Sequence, residues 1–292
     1  MNAAESLPFD GSPHTISIGL RRLDLSRWID LETRVARSAE KLVLLDEHND
    51  EVVATIRGSE AGGSEVLGLV VEHLSQRALV SRVGDTIVDH ESGRVTDVSG
   101  LHPLDAAARL VGEDLCLMES GASPLSGYVL TAASVCFPSR WRLGEKIGTS
   151  MASIHAPVAH YDQITEATDR FFEALTIERP VHRINWTLID DPALFQPEPA
   201  RRAADRAVRE AFDDPAHQVH LRIERQTLRR LPTTGGVLFT IATDVETLGS
   251  LTAAQRTDLA GSLRGVDAAT SRYKGWDALL PAVRRWIEES RE

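Results

Sequence analysis

The sequence predicts an α+β fold, with helices leading and an antiparallel sheet following. Three observations carry this. Apolar residues recur at helical spacing through the first part of the chain, strand-like runs dominate only from Tyr128 onward, and two of those runs are joined by a short turn of the hairpin kind. Strands in antiparallel pairs, with helices before and between them, argue against a doubly wound parallel sheet.

Residues 1–16 are polar, carry turn formers and read as a flexible arm. The remainder, 17–292, reads as one domain, helical over about 17–125 and sheet-rich over about 126–292. Asp24 or Ser26 is placed to cap a helix entry, and Trp28, Leu31, Val35, Leu42 and Leu45 predict helix over 27–57. Val66, Leu67, Leu69, Val70 and Leu74 predict a second over 65–74. Residues 86–89 and 94–98 flank His90-Glu91-Ser92-Gly93 and read as a short hairpin with Gly93 at the turn. Leu104, Ala107, Leu110, Val111 and Leu115, with Pro103 near the start, predict a helix over 103–118.

Strands follow over 128–137, 182–188, 220–228 and 236–243, the last two pairing through Pro232-Thr233-Thr234-Gly235. Alternation sets Ile184, Trp186 and Leu188 on one side of their strand. Helices fill 163–175, with Tyr161 near its entry, and 252–264, with Thr252 as N-cap. A last one covers 276–289, where Pro281 is an alternative start.

Against 32 basic residues stand 43 acidic ones, a formal charge of -11 that disfavours nucleic acid and anionic membrane surfaces as partners. No run approaches the roughly 20 apolar residues of a membrane span, and the N-terminus lacks the pattern of a secretory signal. The cytoplasm is the expected location, and the oligomeric state stays open, a homo-oligomer included. Two cysteines are too few for a disulfide framework or an iron–sulfur cluster, and Cys116, in an apolar run, reads as a buried structural thiol.

Gly-rich nucleotide loops, a nucleophile elbow and a paired His–Glu zinc helix are all absent from the sequence. The segment 137–158 is the densest in chemistry. Arg140, Arg142 and Lys146 fall within seven residues of an otherwise acidic chain, and His155 follows between Ile154 and Pro157. A histidine in apolar company near several cations suits a haem pocket, with imidazole on iron and Arg or Lys on the propionates. A core histidine beside a surface charge cluster is the plainer reading, and the residues alone leave both open.

Longer blocks carry a resemblance. Cys136-Phe137-Pro138-Ser139-Arg140-Trp141, Glu145-Lys146 and Ile154-His155-Ala156-Pro157-Val158 are similar to the haem-dependent oxidative N-demethylase family, which includes dimethylamine monooxygenase subunits. So are Glu113-Asp114-Leu115-Cys116-Leu117, Arg183-Ile184-Asn185-Trp186 with Asp190-Asp191-Pro192, Leu221-Arg222-Ile223-Glu224-Arg225-Gln226-Thr227-Leu228 and Leu238-Phe239-Thr240-Ile241. The resemblance spans roughly residues 17–290. It implies a PAS-like antiparallel sheet with packed helices that binds haem b. It further implies oxidation of an N-methyl group on a small secondary or otherwise methylated amine by O₂, with formaldehyde released. Electrons would come from a partner reductase bearing a flavin and an iron–sulfur centre.

Under this resemblance His155 is the expected proximal iron ligand, with His182 the runner-up. Arg140, Arg142, Lys146, Arg225 and Trp186 are expected around the cofactor, and Glu224 and Gln226 in the distal pocket. Glu224 and Gln226 share one side of their strand, opposite Arg225; an ion-paired strand face is the rival role for them, as it is for Asn185, and core packing is the rival for Trp186. Two departures bear on substrate. The chain has Ala242-Thr243-Asp244 where the family pattern has Arg-Thr-Tyr, and His182 where it has a larger apolar residue. A PAS-like haem sensor, a haem oxygenase acting on another nitrogen compound and a scaffold without haem are the rival expectations.

Overall fold

The structure, a computed structural model, describes residues 7, 9–13, 19–121, 127–156, 165–198 and 212–290. Its helices are α1 (Leu31–Glu47), α2 (Asn49–Val52), α3 (Glu60–Ser75), α4 (Pro103–Ala108), α5 (Met151–His155), α6 (Thr165–Ala174), α7 (Pro215–Gln218), α8 (Ala253–Leu263), α9 (Ala268–Lys274) and α10 (Leu279–Glu289). The strands are β1 (Arg21–Arg22), β2 (Val53–Thr55), β3 (Val80–Val83), β4 (Thr86–Asp89), β5 (Val95–Asp97), β6 (Asp114–Ser120), β7 (Tyr128–Ser134), β8 (Val181–Ile189), β9 (His220–Arg230) and β10 (Val237–Thr247). Seven of them form one antiparallel sheet in the order β1-β8-β9-β10-β6-β7-β2, and β3-β4-β5 form a small second one.

Local signals account for most element ends. The Asp30 carboxylate accepts from Thr33 N at 3.0 Å and starts α1. Asp24 caps only a single 3-10 turn before Trp28. Thr252 and Gln255 form a reciprocal capping box at the head of α8. Gly93 takes a positive φ of 70° in the β4–β5 turn, as that hairpin requires. The β9–β10 hairpin forms as expected, and the Glu65 carboxylate holds its turn by accepting from Thr233 N (2.6 Å) and Thr234 N (2.8 Å).

Two expected helices are corrected. The one predicted over 103–118 stops at Ala108, and Asp114–Ser120 is instead an interior strand between β10 and β7. Its first five residues are buried, so no polar alternation betrays it. Gly112 marks the break, for a Cβ there would lie 2.5 Å from the Thr33 carbonyl oxygen. The helix predicted over 27–57 likewise ends early, and Val53–Thr55 forms an edge strand on β7. With β3 also unforeseen, the first 120 residues are less helical than their periodicity suggests. Gln163 and Tyr161 lie outside the described residues.

The sheet separates two environments. One face, through Leu115, Leu117 and Leu238, packs on the N-terminal helices, and at β8 and β9, through Trp186, Leu188, Leu221 and Ile223, it packs on α8–α10. Residues 9–13 of the expected loose arm dock here. Phe9 is buried edge-on against Trp186 with ring centroids 5.5 Å apart, and Ser262 Oγ donates to Ser12 O at 3.0 Å. The opposite face presents Cys116, Met118, Ala133, Leu228, Val237 and Phe239 to α5 and α6 through Met151, Ile154, Phe171 and Phe172.

Where α4 turns into β6, Glu113 is wholly buried. One oxygen accepts from Asp30 N at 2.6 Å, the other has no hydrogen bond, and Lys41 donates to the Glu113 carbonyl. Burial pushes the Glu113 carboxyl up to about 7 from its ordinary 4.5. The folded protein thus holds a proton that the unfolded chain releases between those values, and stability falls as pH rises through that window. Glu113→Gln is expected to lack this component. In urea titrations the variant should gain on the native protein by up to about 3 kcal/mol between pH 5 and pH 8.

Candidate functional site

The site is built on the sheet face that α5 and α6 cover. Asp114, the first residue of β6, accepts from Cys136 N (2.8 Å) and Phe137 N (3.1 Å), which fixes where the 137–158 segment leaves the sheet. Arg140 has a positive φ of 64°, uncommon for a side chain with a Cβ. Its guanidinium pairs with buried Asp190 and donates to Gln196 Oε1 at 3.3 Å, while its backbone N donates to Gln196 O at 2.8 Å. Arg142 is exposed. Lys146 reaches the end of α5, donating to Ile154 O at 3.0 Å. The three cations therefore engage different surroundings, and Lys146 is the one beside the histidine.

α5 begins at Ser150, whose hydroxyl accepts from Ser153 N, and ends at His155. Met151 and Ile154 turn into the apolar cluster, and the His155 ring lies at 3.0 Å, through Nδ1, from the Met151 carbonyl. A carbonyl only accepts, so the proton sits on Nδ1 and the lone pair on Nε2. Burial lowers the pKa of His155, partly offset by that hydrogen bond and reinforced by Arg183 and Lys146, so the ring is neutral near pH 7. A neutral imidazole with a defined tautomer is the form that binds metal.

Beside it runs a polar row written into two strands. Register sets Arg183 opposite Gln226, Asn185 opposite Glu224 and Thr187 opposite Arg222. Arg183 Nε donates to Gln226 Oε1 (2.6 Å), and Gln226 Nε2 (2.9 Å) and Asn185 Nδ2 (3.2 Å) both donate to Glu224 Oε2. Arg222 donates to Glu224 Oε1 (3.2 Å), to the Phe137 carbonyl and to Leu194 O (3.4 Å). Burial works against the Glu224 charge, but Arg222, Asn185 and Gln226 outweigh it and hold the carboxyl below its usual range. Lys274 closes the row from the β8 edge. Its ammonium donates to Trp186 O (2.9 Å) and lies 4.8 Å from the centre of the Trp276 ring, and burial lowers its pKa to about 8.

Glu224 and Gln226 are thus brought together on one side, with Asn185, and Arg183 carries that row toward His155. Arg225, Trp186 and His182 project from the other side. Arg225 donates to the carbonyls of Trp28 (3.2 Å) and Arg27 (2.5 Å), and Trp186 stacks on Trp276 with centroids 5.4 Å apart. Both fill packing roles across the sheet from Glu224. Arg183, Arg222 and Lys274 were not singled out from the sequence. The signal for the first two was present as alternation, Arg183-x-Asn185 against Arg222-x-Glu224-x-Gln226. Lys274 had none, being far along the chain.

Cys116 and Cys136 are both buried free thiols, and burial pushes Cys136 up to about 12. Among the described residues no group of three or more His, Cys, Asp or Glu is placed to hold a metal ion, and no helix is long and apolar enough to cross a membrane.

Fold and site together define an α+β protein in which a neutral histidine on a short helix closes an apolar sheet face beside a charged row. A family model described as haem-dependent oxidative N-demethylase, alpha subunit-like, matches residues 19–284, and the chain belongs to that family. The family's name is that of a haem-dependent oxidoreductase, and of one subunit in a larger enzyme.

The Arg222–Glu224 pair is expected to be structural as well as functional. Arg222→Leu, which strands a carboxylate 15 % exposed, should lose about 3–5 kcal/mol in urea unfolding. Arg222→Leu combined with Glu224→Leu should lose less than the single change.

Proposed function

We propose that this chain is the haem-binding subunit of an oxidoreductase that removes an N-methyl group from a methylated amine, on a sheet of the PAS-like kind. The observation that carries the reading is His155, a neutral imidazole with its proton held on Nδ1 at the edge of an apolar sheet face. For haem b the fit lies in the surroundings of the histidine: Met151 and Ile154 give it apolar neighbours on α5, and Lys146 and Arg183 add positive charge beside it for an anionic cofactor.

In this reading His155 holds the iron through Nε2, and the Met151 carbonyl keeps the ring oriented and raises its basicity. Haem, when bound, supplies the oxidation of the methyl carbon with O₂ and electrons from a flavin and iron–sulfur reductase. The chain's own residues do the rest. α6 and the apolar face exclude water, and Asn185 and Gln226 keep Glu224 ionised and fixed, so the row orients a polar substrate group rather than exchanging protons with it. Because Arg140 already pairs with Asp190, its part here is to hold the segment after β7 in place.

The test is the visible spectrum of protein expressed with haem precursor. The native chain is expected to show a Soret band and His155→Ala to lose or shift it, with formaldehyde released from methylated amines under a surrogate reductant. A colourless native protein overturns the proposal, and a coloured, unchanged variant moves the ligand to His182 or another histidine.

A further inference from the structure

Residues 9–12 bridge β8 and α8 without belonging to any helix or strand. A few contacts hold them. Phe9 is 6 % exposed and meets the Trp186 ring edge-on at 5.5 Å, and Ser262 Oγ donates to Ser12 O at 3.0 Å. Between these points the backbone of Gly11 lies directly on Gly261. A Cβ on Gly261 would sit 2.6 Å from Gly11 Cα and closer still to the Gly11 carbonyl oxygen. Gly11 takes a positive φ of 82°, and a Cβ there would meet Asp258 Oδ1 at 3.2 Å. Asp10 Oδ1 accepts from Ser12 N at 3.0 Å, which sets the turn in advance. Glycine inside a helix is disfavoured against alanine, so Gly261 in α8 answers to the chain laid upon it. Asp258, Gly261 and Ser262, at i, i+3 and i+4, share one face of that helix.

We propose that Gly261, Ser262 and Trp186 form a seat for a peptide, and that residues 9–12 occupy it as a releasable strap tying α8 to β8. The ligand class is a short segment with an aromatic ring two residues before a glycine, as in Phe9-Asp10-Gly11-Ser12. The ring goes to Trp186, and the glycine allows backbone to lie on helix. Release is local, because the strap adds no ladder of backbone hydrogen bonds to the sheet. It lies on the Trp186 side of β8, across from Glu224 and Gln226, so it acts on the packing of α8 and is independent of the haem reading.

The test uses the full chain with Gly261→Ala or Phe9→Ala, and a synthetic peptide of residues 7–13. Alanine favours the α8 helix while its Cβ evicts Gly11. Thermolysin is expected to cut within residues 7–13 at least about tenfold faster in Gly261→Ala than in native protein, with circular dichroism unchanged. In calorimetry the peptide should bind Phe9→Ala one-to-one. It should bind native protein at least about tenfold more weakly, since the tethered strap competes at high effective concentration, and Gly261→Ala not at all. Equal cleavage in native protein and Gly261→Ala overturns the strap, and peptide binding retained in Gly261→Ala overturns the seat. A native dimer that Gly261→Ala converts to monomer in sedimentation overturns the strap within one chain and assigns it to a second copy. Should Gly261→Ala fail to fold, Phe9→Ala decides alone: peptide binding upholds the seat and its absence overturns it.

Discussion

The guanidinium of Arg222 lies 1 % exposed within the sheet and cannot shed its charge, so every donor it turns inward must be answered. Its partners come from separate parts of the chain: the carbonyl of Phe137 after β7, the carbonyl of Leu194 after β8, Thr243 on β10 and Glu224 on its own strand. Removing the ion from water is costly, and only the simultaneous arrival of these groups repays it. The segment that carries Arg140 toward His155, the loop that carries Asp190 and the strand that carries Glu224 are therefore positioned by one side chain. Geometry at the site is a consequence of satisfying that ion.

A second set of buried charges works from the other side. Lys41 donates to the Glu113 carbonyl, and Asp114 receives the backbone of Cys136 and Phe137. Burial pushes Asp114 up to about 6, in spite of Lys41 and two backbone donors. Groups of this kind add little net stability, since desolvation offsets most of what their contacts return. What they do is fix where β6 ends its approach from α4 and where the next segment leaves β7. Arg222 and Asp114 grip the same residue, Phe137, one by its carbonyl and the other by its amide.

The strands from Val181 onward were legible because β8 and β9 alternate, with Ile184, Trp186 and Leu188 on one side and Arg183 and Asn185 on the other. The same alternation separated Glu224 and Gln226 from Arg225. β6 was not legible. Buried on both faces, it offers the continuous apolar run that a buried helix also offers, and only its pairing with Phe239 and Ala133 distinguishes the two. Arg140 was legible as a cation beside a histidine but not as the partner of Asp190, fifty residues on, because ion pairing across loops leaves no period in a sequence. Lys274 escaped notice for the same reason.

By itself the sequence determined which residues share a side of a strand, that Thr252 caps the helix after the last strand, and that His155 sits in an apolar run near cations. These follow from spacing, and spacing is a local property of the chain. Tertiary structure decided the rest. It set Arg225 and Trp186 across the sheet from Glu224, committed Arg140 to Asp190, and brought Lys274 against Trp186 at the β8 edge. The physical reason is that a buried charge or aromatic ring must find partners wherever the folded chain supplies them, and those partners are distant in sequence.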